Sequence, residues 1–123
     1  MLSTTPIIGF VPTSNAARAR AFYEQTLGLR FISQDNFAVV FDANGSMLRV
    51  TIVGDFTPMP FTILGWQVTN IEQEVAELIA KGVSFNRYGF LDQSEAGIWT
   101  APGGAKIAWF TDPDGNTLSL SQH

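Results

Sequence analysis

Bond-making chemistry has few residues to start from in this chain. None of the 123 residues is cysteine, which excludes disulfides, thiolate metal sites and a thiol nucleophile. The one histidine, His123, is the last residue, where a frayed terminus is the expected state. Asp112 and Asp114 stand close enough for a carboxylate pair doing general acid–base work, yet Pro113 between them and Gly115 after them are what a tight turn requires. Glu72, Glu74 and Glu77 fall in the first turns of a helix, where the dipole favours anions and water solvates them. Gly103-Gly104 lacks phosphate-loop spacing and suits a hairpin turn. No catalytic residue is assigned on these grounds.

Bulk composition narrows the partners. The chain has one domain's length, 46% hydrophobic and 15% charged residues, a globular balance whose low charge leaves apolar surface for a partner subunit or a ligand cleft. Net charge is −4 and the cations are scattered, so a phosphate backbone or an anionic membrane finds no footprint. The N-terminal residues lack the basic region and apolar run of a signal peptide and no run is long enough for a membrane span, giving a cytoplasmic expectation.

The elements that would position a site follow from caps and turns. In residues 103–122, Asp112-Pro113-Asp114-Gly115 joins an apolar strand around Ile107 and Phe110 to one in which Leu118 and Leu120 alternate with Thr117, Ser119 and Ser121. That is a β-hairpin with a half-buried second strand. Upstream, 7–11 is a strand, Asn15 an N-cap, and 16–27 a helix burying Ala19, Phe22, Tyr23 and Leu27 before Gly28 stops it. Strands at 29–34, 37–41 and 47–53 follow, the last two joined by the turn Asp42-Ala43-Asn44-Gly45. A proline-bearing linker covers 54–60. The pattern then restarts with a strand at 63–68 and a helix capped by Asn70, with Gln73 at the capping-box position and Ile71, Val75, Leu78 and Ile79 as its buried stripe, ended by Gly82.

The halves are self-similar. Asn15 matches Asn70, and the turn ending at Gly45 matches the one ending at Gly115, at offsets of 70 − 15 = 55 and 115 − 45 = 70. The second half therefore carries about 15 extra residues, placed at 86–102, where Tyr88, Phe90 and Trp99 lie among turn formers. The expected architecture is α+β: one domain over 1–123 made of two βαβββ repeats, 6–53 and 61–122, joined by the linker 54–60.

Two βαβββ units, the helix ending Phe22-Tyr23-Glu24-Gln25-Thr26-Leu27-Gly28-Leu29, and the terminal Trp109-Phe110-Thr111-Asp112-Pro113-Asp114-Gly115-Asn116 resemble the vicinal oxygen chelate superfamily, the glyoxalase, bleomycin-resistance and extradiol-dioxygenase group. The resemblance spans nearly the whole chain and implies a cup of two curved, mixed four-stranded sheets with a ligand cavity, often completed by a homodimer partner. It also implies a divalent metal held by the first and last strands of each unit, holding two substrate oxygens. Counted from the caps and turn glycines, those positions fall on Ile8, Ile63, Arg49 and Ser119, and a one-residue slip gives Ile7 and Leu64. None is a normal ligand, and Arg49 would repel a metal. No metal and no cofactor are expected.

Without a metal, Arg49 is the residue at these positions with chemical character, suited to orienting an anionic or oxygen-rich ligand with Ser119 adding a hydroxyl. An ion pair with Asp42 or Asp35, or a surface position, would equally account for it. Phe10, Trp66, Trp99 and Trp109 could wall a cavity for flat ligands, and Tyr88, Phe90, Asp92, Glu95 and Trp99 place aromatic and acidic groups on the insertion, where acids suit a cationic ligand. Core packing of each aromatic, and an edge strand with a dimer-contact loop, are the structural alternatives. The function expected is a metal-free, dimeric small-molecule-binding protein of the glyoxalase/bleomycin-resistance type, holding a drug or metabolite in an aromatic-lined cup. The alternatives are an atypical lyase or isomerase on a small oxygenated substrate, working through Arg49 and a loop acid, and a non-catalytic protein-interaction module.

Overall fold

The computed structural model describes all residues, Met1–His123. The chain divides into two compact units, Met1–Thr57 and Pro58–His123. The first opens with a 3₁₀ turn, Leu2–Thr4, and contains β1 (Ile8–Thr13), α1 (Ala16–Ala21), a π-helical turn (Phe22–Thr26), β2 (Arg30–Gln34), β3 (Ala38–Ala43) and β4 (Ser46–Ile52). The second contains β5 (Thr62–Gln67), α2 (Ile71–Ala80), β6 (Trp99–Thr100), β7 (Lys106–Thr111) and β8 (Thr117–Gln122). Each unit is one mixed four-stranded sheet, ordered β1-β4-β3-β2 and β5-β8-β7-β6, with the first strand parallel to the last and the others antiparallel. No helix is long and apolar enough to cross a membrane.

In the first unit the register sets Val11 and Val39 on either side of Val50, and Phe41 beside Leu48. Residues opposite one another share a face, so these five form one apolar layer, fully or almost fully buried. Ala19 and Tyr23, also buried, come from the helix, and the Tyr23 ring lies 5.9 Å from that of Phe41. Asn15 caps α1 by accepting from the Arg18 N–H. The helix is not α-helical to residue 27: from Phe22 it widens into a π turn, in which the Leu27 N–H donates to the Phe22 carbonyl five residues back. The extra residue per turn rotates the end of the helix, leaving Phe22 and Leu27 only half-buried.

In the second unit Asn70 caps α2 by accepting from Gln73 N–H, but the Gln73 side chain turns to Glu77, so the reciprocal half of the capping box is not made. The Ile71 N–H donates instead to Gln122 Oε1 at the end of β8, tying helix to sheet. Ile71 and Val75 are fully buried, whereas Ile79 is 46% exposed. At 3.6 residues per turn Ile79 stands about 80° round from Ile71, at the margin of the stripe rather than within it.

The β7–β8 hairpin closes with Thr111 opposite Thr117. Asp112 Oδ1 accepts from the Asp114 and Asn116 N–H groups, Oδ2 accepts from Asn116 Nδ2, and the Gly115 N–H donates to the Asp112 carbonyl. Gly115 has φ +89°, and a Cβ there would stand 3.1 Å from Pro58 Cγ. Gly115→Ala should therefore lower stability by about 1–2 kcal/mol, read as a lower urea midpoint with an unchanged slope. The second strand differs from the half-buried expectation: Thr117, Leu118, Ser119 and Leu120 are all buried. β8 is an interior strand between β5 and β7, and Trp109 stands directly across from Ser119. After α2 the edge beside β7 is shared by two segments rather than one continuous strand. Phe85 bridges to Phe110, the two-residue β6 pairs with Lys106 and Ile107, and residues 86–98 loop out between them.

Candidate functional site

That loop and the sheet beneath it build an aromatic cleft in the second unit. Trp109 lies on the Ser119 face of β7, and Trp99, opposite Ile107, falls on the same face two positions along. The two indoles are 6.1 Å apart with their planes 33° off parallel. Tyr88 stands perpendicular to Trp109 at 5.4 Å, and Phe90 lies 5.8 Å beyond Tyr88. Pro60, Phe61 and Thr62, at the entry to β5, and Leu91 complete the lining of an open cleft of about 470 Å³.

The loop is held by its own polar groups. Gln93 Oε1 accepts from the Tyr88 N–H at 2.7 Å, while Gln93 Nε2 donates to the Asn86 and Gly97 carbonyls, both at 2.9 Å. The Arg87 guanidinium donates to the carbonyls of Ser94, Glu95 and Gln93. Asn86 anchors the start, its N–H donating to the Trp109 carbonyl at 2.7 Å and its Nδ2 to the Tyr88 hydroxyl. These bonds fix the backbone that carries Tyr88 and Phe90 before any ligand arrives. Phe90 is consequently held 84% exposed, an apolar ring presented to water.

Ring spacing limits how a flat molecule can sit. Inserting one ring between two others needs about 7 Å between the outer planes, twice the favourable carbon–carbon separation. Trp99 and Trp109 already touch one another, so no flat ring fits between them. No charged side chain lines the cleft, and Asp92 and Glu95 are exposed on the loop outside it.

Of the residues expected to form a site, the structure groups Tyr88, Trp99, Trp109 and Ser119 on one side of the second sheet. Ile63 lies at a bulge between Thr62 and Leu64. Trp66 pairs with Leu120, one residue from Ser119, and therefore points to the opposite face, with Leu118 and Leu120. In the first unit Ile8, Phe10 and Arg49 share the sheet face turned away from the apolar layer. Phe61, Gln93 and Arg87 were not singled out from sequence. Phe61 follows the linker prolines, and Gln93 and Arg87 sit among polar neighbours from which nothing in their type separates them.

The side chains at the expected metal positions do not fit a divalent ion. Arg49 has Phe10 and Val40 as its register partners, Ser119 has Gly65 and Trp109, and no three His, Cys, Asp or Glu side chains stand together anywhere in the chain. A cation, aromatic rings and one hydroxyl are not a donor set for such a metal.

The sequence profile of the Glyoxalase/Bleomycin resistance protein/Dioxygenase superfamily matches residues 8–120. The chain belongs to this superfamily. Its two mixed four-stranded sheets are the superfamily's repeated βαβββ units. A glyoxalase family protein from Bacillus anthracis superposes with a TM-score of 0.78 at 18% identity, covering 98% of this chain and 95% of that one. Lactoylglutathione lyase from Agrobacterium tumefaciens gives 0.76 at 14% identity, with 97% and 93% covered. The bleomycin resistance determinant encoded on transposon Tn5 gives 0.73 at 19%, with 98% of both chains covered. At these identities the likeness establishes the fold. No curated protein matches the sequence.

Proposed function

We propose that this member of the superfamily is a small-molecule-binding protein that works without a metal and seats a flat, largely apolar ligand against the aromatic cleft of its second unit. One observation carries the reading: four rings, Tyr88, Phe90, Trp99 and Trp109, converge on a single open cleft through a loop whose backbone is fixed by Gln93 and Arg87. Large, rigid aromatic surface binds with little loss of conformational entropy, and a loop already ordered adds little further cost. The uncharged lining favours dispersion and stacking over ion pairing, and nothing in the cleft is arranged as an acid–base pair.

The test uses the protein's own fluorophores. In Trp66→Phe both remaining indoles, Trp99 and Trp109, stand at the cleft. Titration with 2-naphthol, proflavine and 1-anilinonaphthalene-8-sulfonate, a neutral, a cationic and an anionic planar probe, should quench them saturably for at least one. Trp109→Ala should weaken that binding about tenfold or more. The bleomycin resistance determinant among the structural relatives makes metal-free bleomycin a natural fourth arm. Saturable binding unaffected by Trp109→Ala would place the ligand elsewhere, and no saturable binding by any arm would remove the reading.

A further inference from the structure

Arg49 lies at the middle of β4, with Phe10 of β1 opposite it on one side and Val40 of β3 on the other. One register pair along the same face, Ile8 stands beside Met47. Over β1 and β4 this face is apolar yet open around Arg49: Phe10 is 61% exposed, and Ile8 and Met47 are exposed as well, with Asp42 and Arg30 beyond Met47 on the β3 and β2 side. Within it Arg49 is half-buried, and its guanidinium makes neither an ion pair nor a hydrogen bond.

The acids that could have neutralised it are committed elsewhere. Asp42 faces Arg30 at 3.9 Å and accepts from the Gly45 N–H. Asp35 accepts from the N–H groups of Phe37 and Ala38, and these bonds, ahead of the charge on Arg49, hold its carboxyl below the ordinary value. The structural ion pair that would account for Arg49 is therefore not formed with either acid. A half-buried cation between Phe10 and Val40, with Asp35 acting on it only beyond ion-pair distance, is desolvated without a direct partner in return, a cost that stability alone does not explain.

We propose that the Arg49 face of the first unit binds an amphiphilic carboxylate, its head held by the guanidinium and its apolar body laid over Phe10, Ile8 and Met47. The planar fork of Arg matches a carboxylate with two parallel hydrogen bonds. The exposed Phe10 ring and the Met47 thioether give an adaptable apolar bed for the stem. This seat differs in ligand chemistry from the aromatic cleft and stands whether or not the cleft binds.

Calorimetric titration of the whole protein with octanoate and with octanol tests it. Octanoate should bind saturably, about tenfold or more weaker in Arg49→Ala and by an intermediate amount in Arg49→Lys. Octanol should not discriminate between the variants, and added salt should weaken octanoate alone. Without ligand, Arg49→Met should melt no lower than the parent, because a functional cation is being exchanged for an apolar side chain of similar length. The proposal is overturned by octanoate affinity that is absent or indifferent to Arg49→Ala, or by a lower melting temperature of Arg49→Met. It is equally overturned if the parent sediments as a dimer that Arg49→Ala dissociates, which would assign the counter-charge to a second copy of the chain.

Discussion

Gln93→Leu should abolish binding at the aromatic cleft while both sheets remain folded. The leucine keeps the side-chain volume but removes the acceptor for the Tyr88 N–H and both donors to the Asn86 and Gly97 carbonyls. These groups are part-buried, and each one left unpaired costs about 1–3 kcal/mol. The sheet does not depend on them, since β7 and β8 pair through their own ladder from Lys106 opposite Gln122 to Thr111 opposite Thr117. The cost therefore falls on the loop, which opens locally. Hydrogen exchange should speed up at Tyr88 about tenfold to a hundredfold with little change in β8, and quenching of Trp99 and Trp109 by a planar probe should be lost. Unaltered probe binding in this variant would mean that the loop's internal bonds do not set up the cleft.

Asp112→Ala acts on the whole unit instead. The carboxylate gathers two backbone N–H groups and the Asn116 amide, and Asn116 is only 1% exposed, so water cannot take over those donors without the turn opening. The expected loss is about 3 kcal/mol, a fall in Tm on the order of 10 °C, measured by thermal unfolding. Asp112→Asn should fall between the two, because its amide oxygen can still accept from the backbone while its NH₂ meets the Asn116 NH₂ donor to donor. A Tm for Asp112→Ala within a degree or two of the parent would show that these bonds do not hold the hairpin.

Much of the fold was legible because its punctuation is local. Asn15, Asn70 and the two Gly-bearing turns each act through bonds spanning a few residues, so their spacing alone exposed the duplication and the order of strands. What escaped was set by packing and register. The π turn after Ala21 replaces hydrogen bonds with others of the same chain and leaves no compositional mark. The face of Trp66 depends on register past a bulge at Ile63, and one residue of slip in that count exchanges the faces. The aromatic character of Tyr88, Trp99 and Trp109 was plain in the sequence, but their convergence was not, because it is imposed by Gln93, one polar residue among Asp92, Ser94 and Glu95. Arg49 was found by counting from Gly45, and the finding that neither Asp35 nor Asp42 pairs with it required the structure.

The divided edge beside β7 has a further consequence. A long, flat outer strand offers a row of unpaired N–H and C=O groups on which another chain can polymerise. Here the two-residue β6 covers one end of β7, while Phe85 and the Asn86 N–H cover the other through Phe110 and the Trp109 carbonyl. The segment that shapes the cleft thus also leaves β7 no long free edge on which another chain could pair. Sequence changes in residues 86–98 are therefore constrained by edge protection as well as by the shape of the cleft.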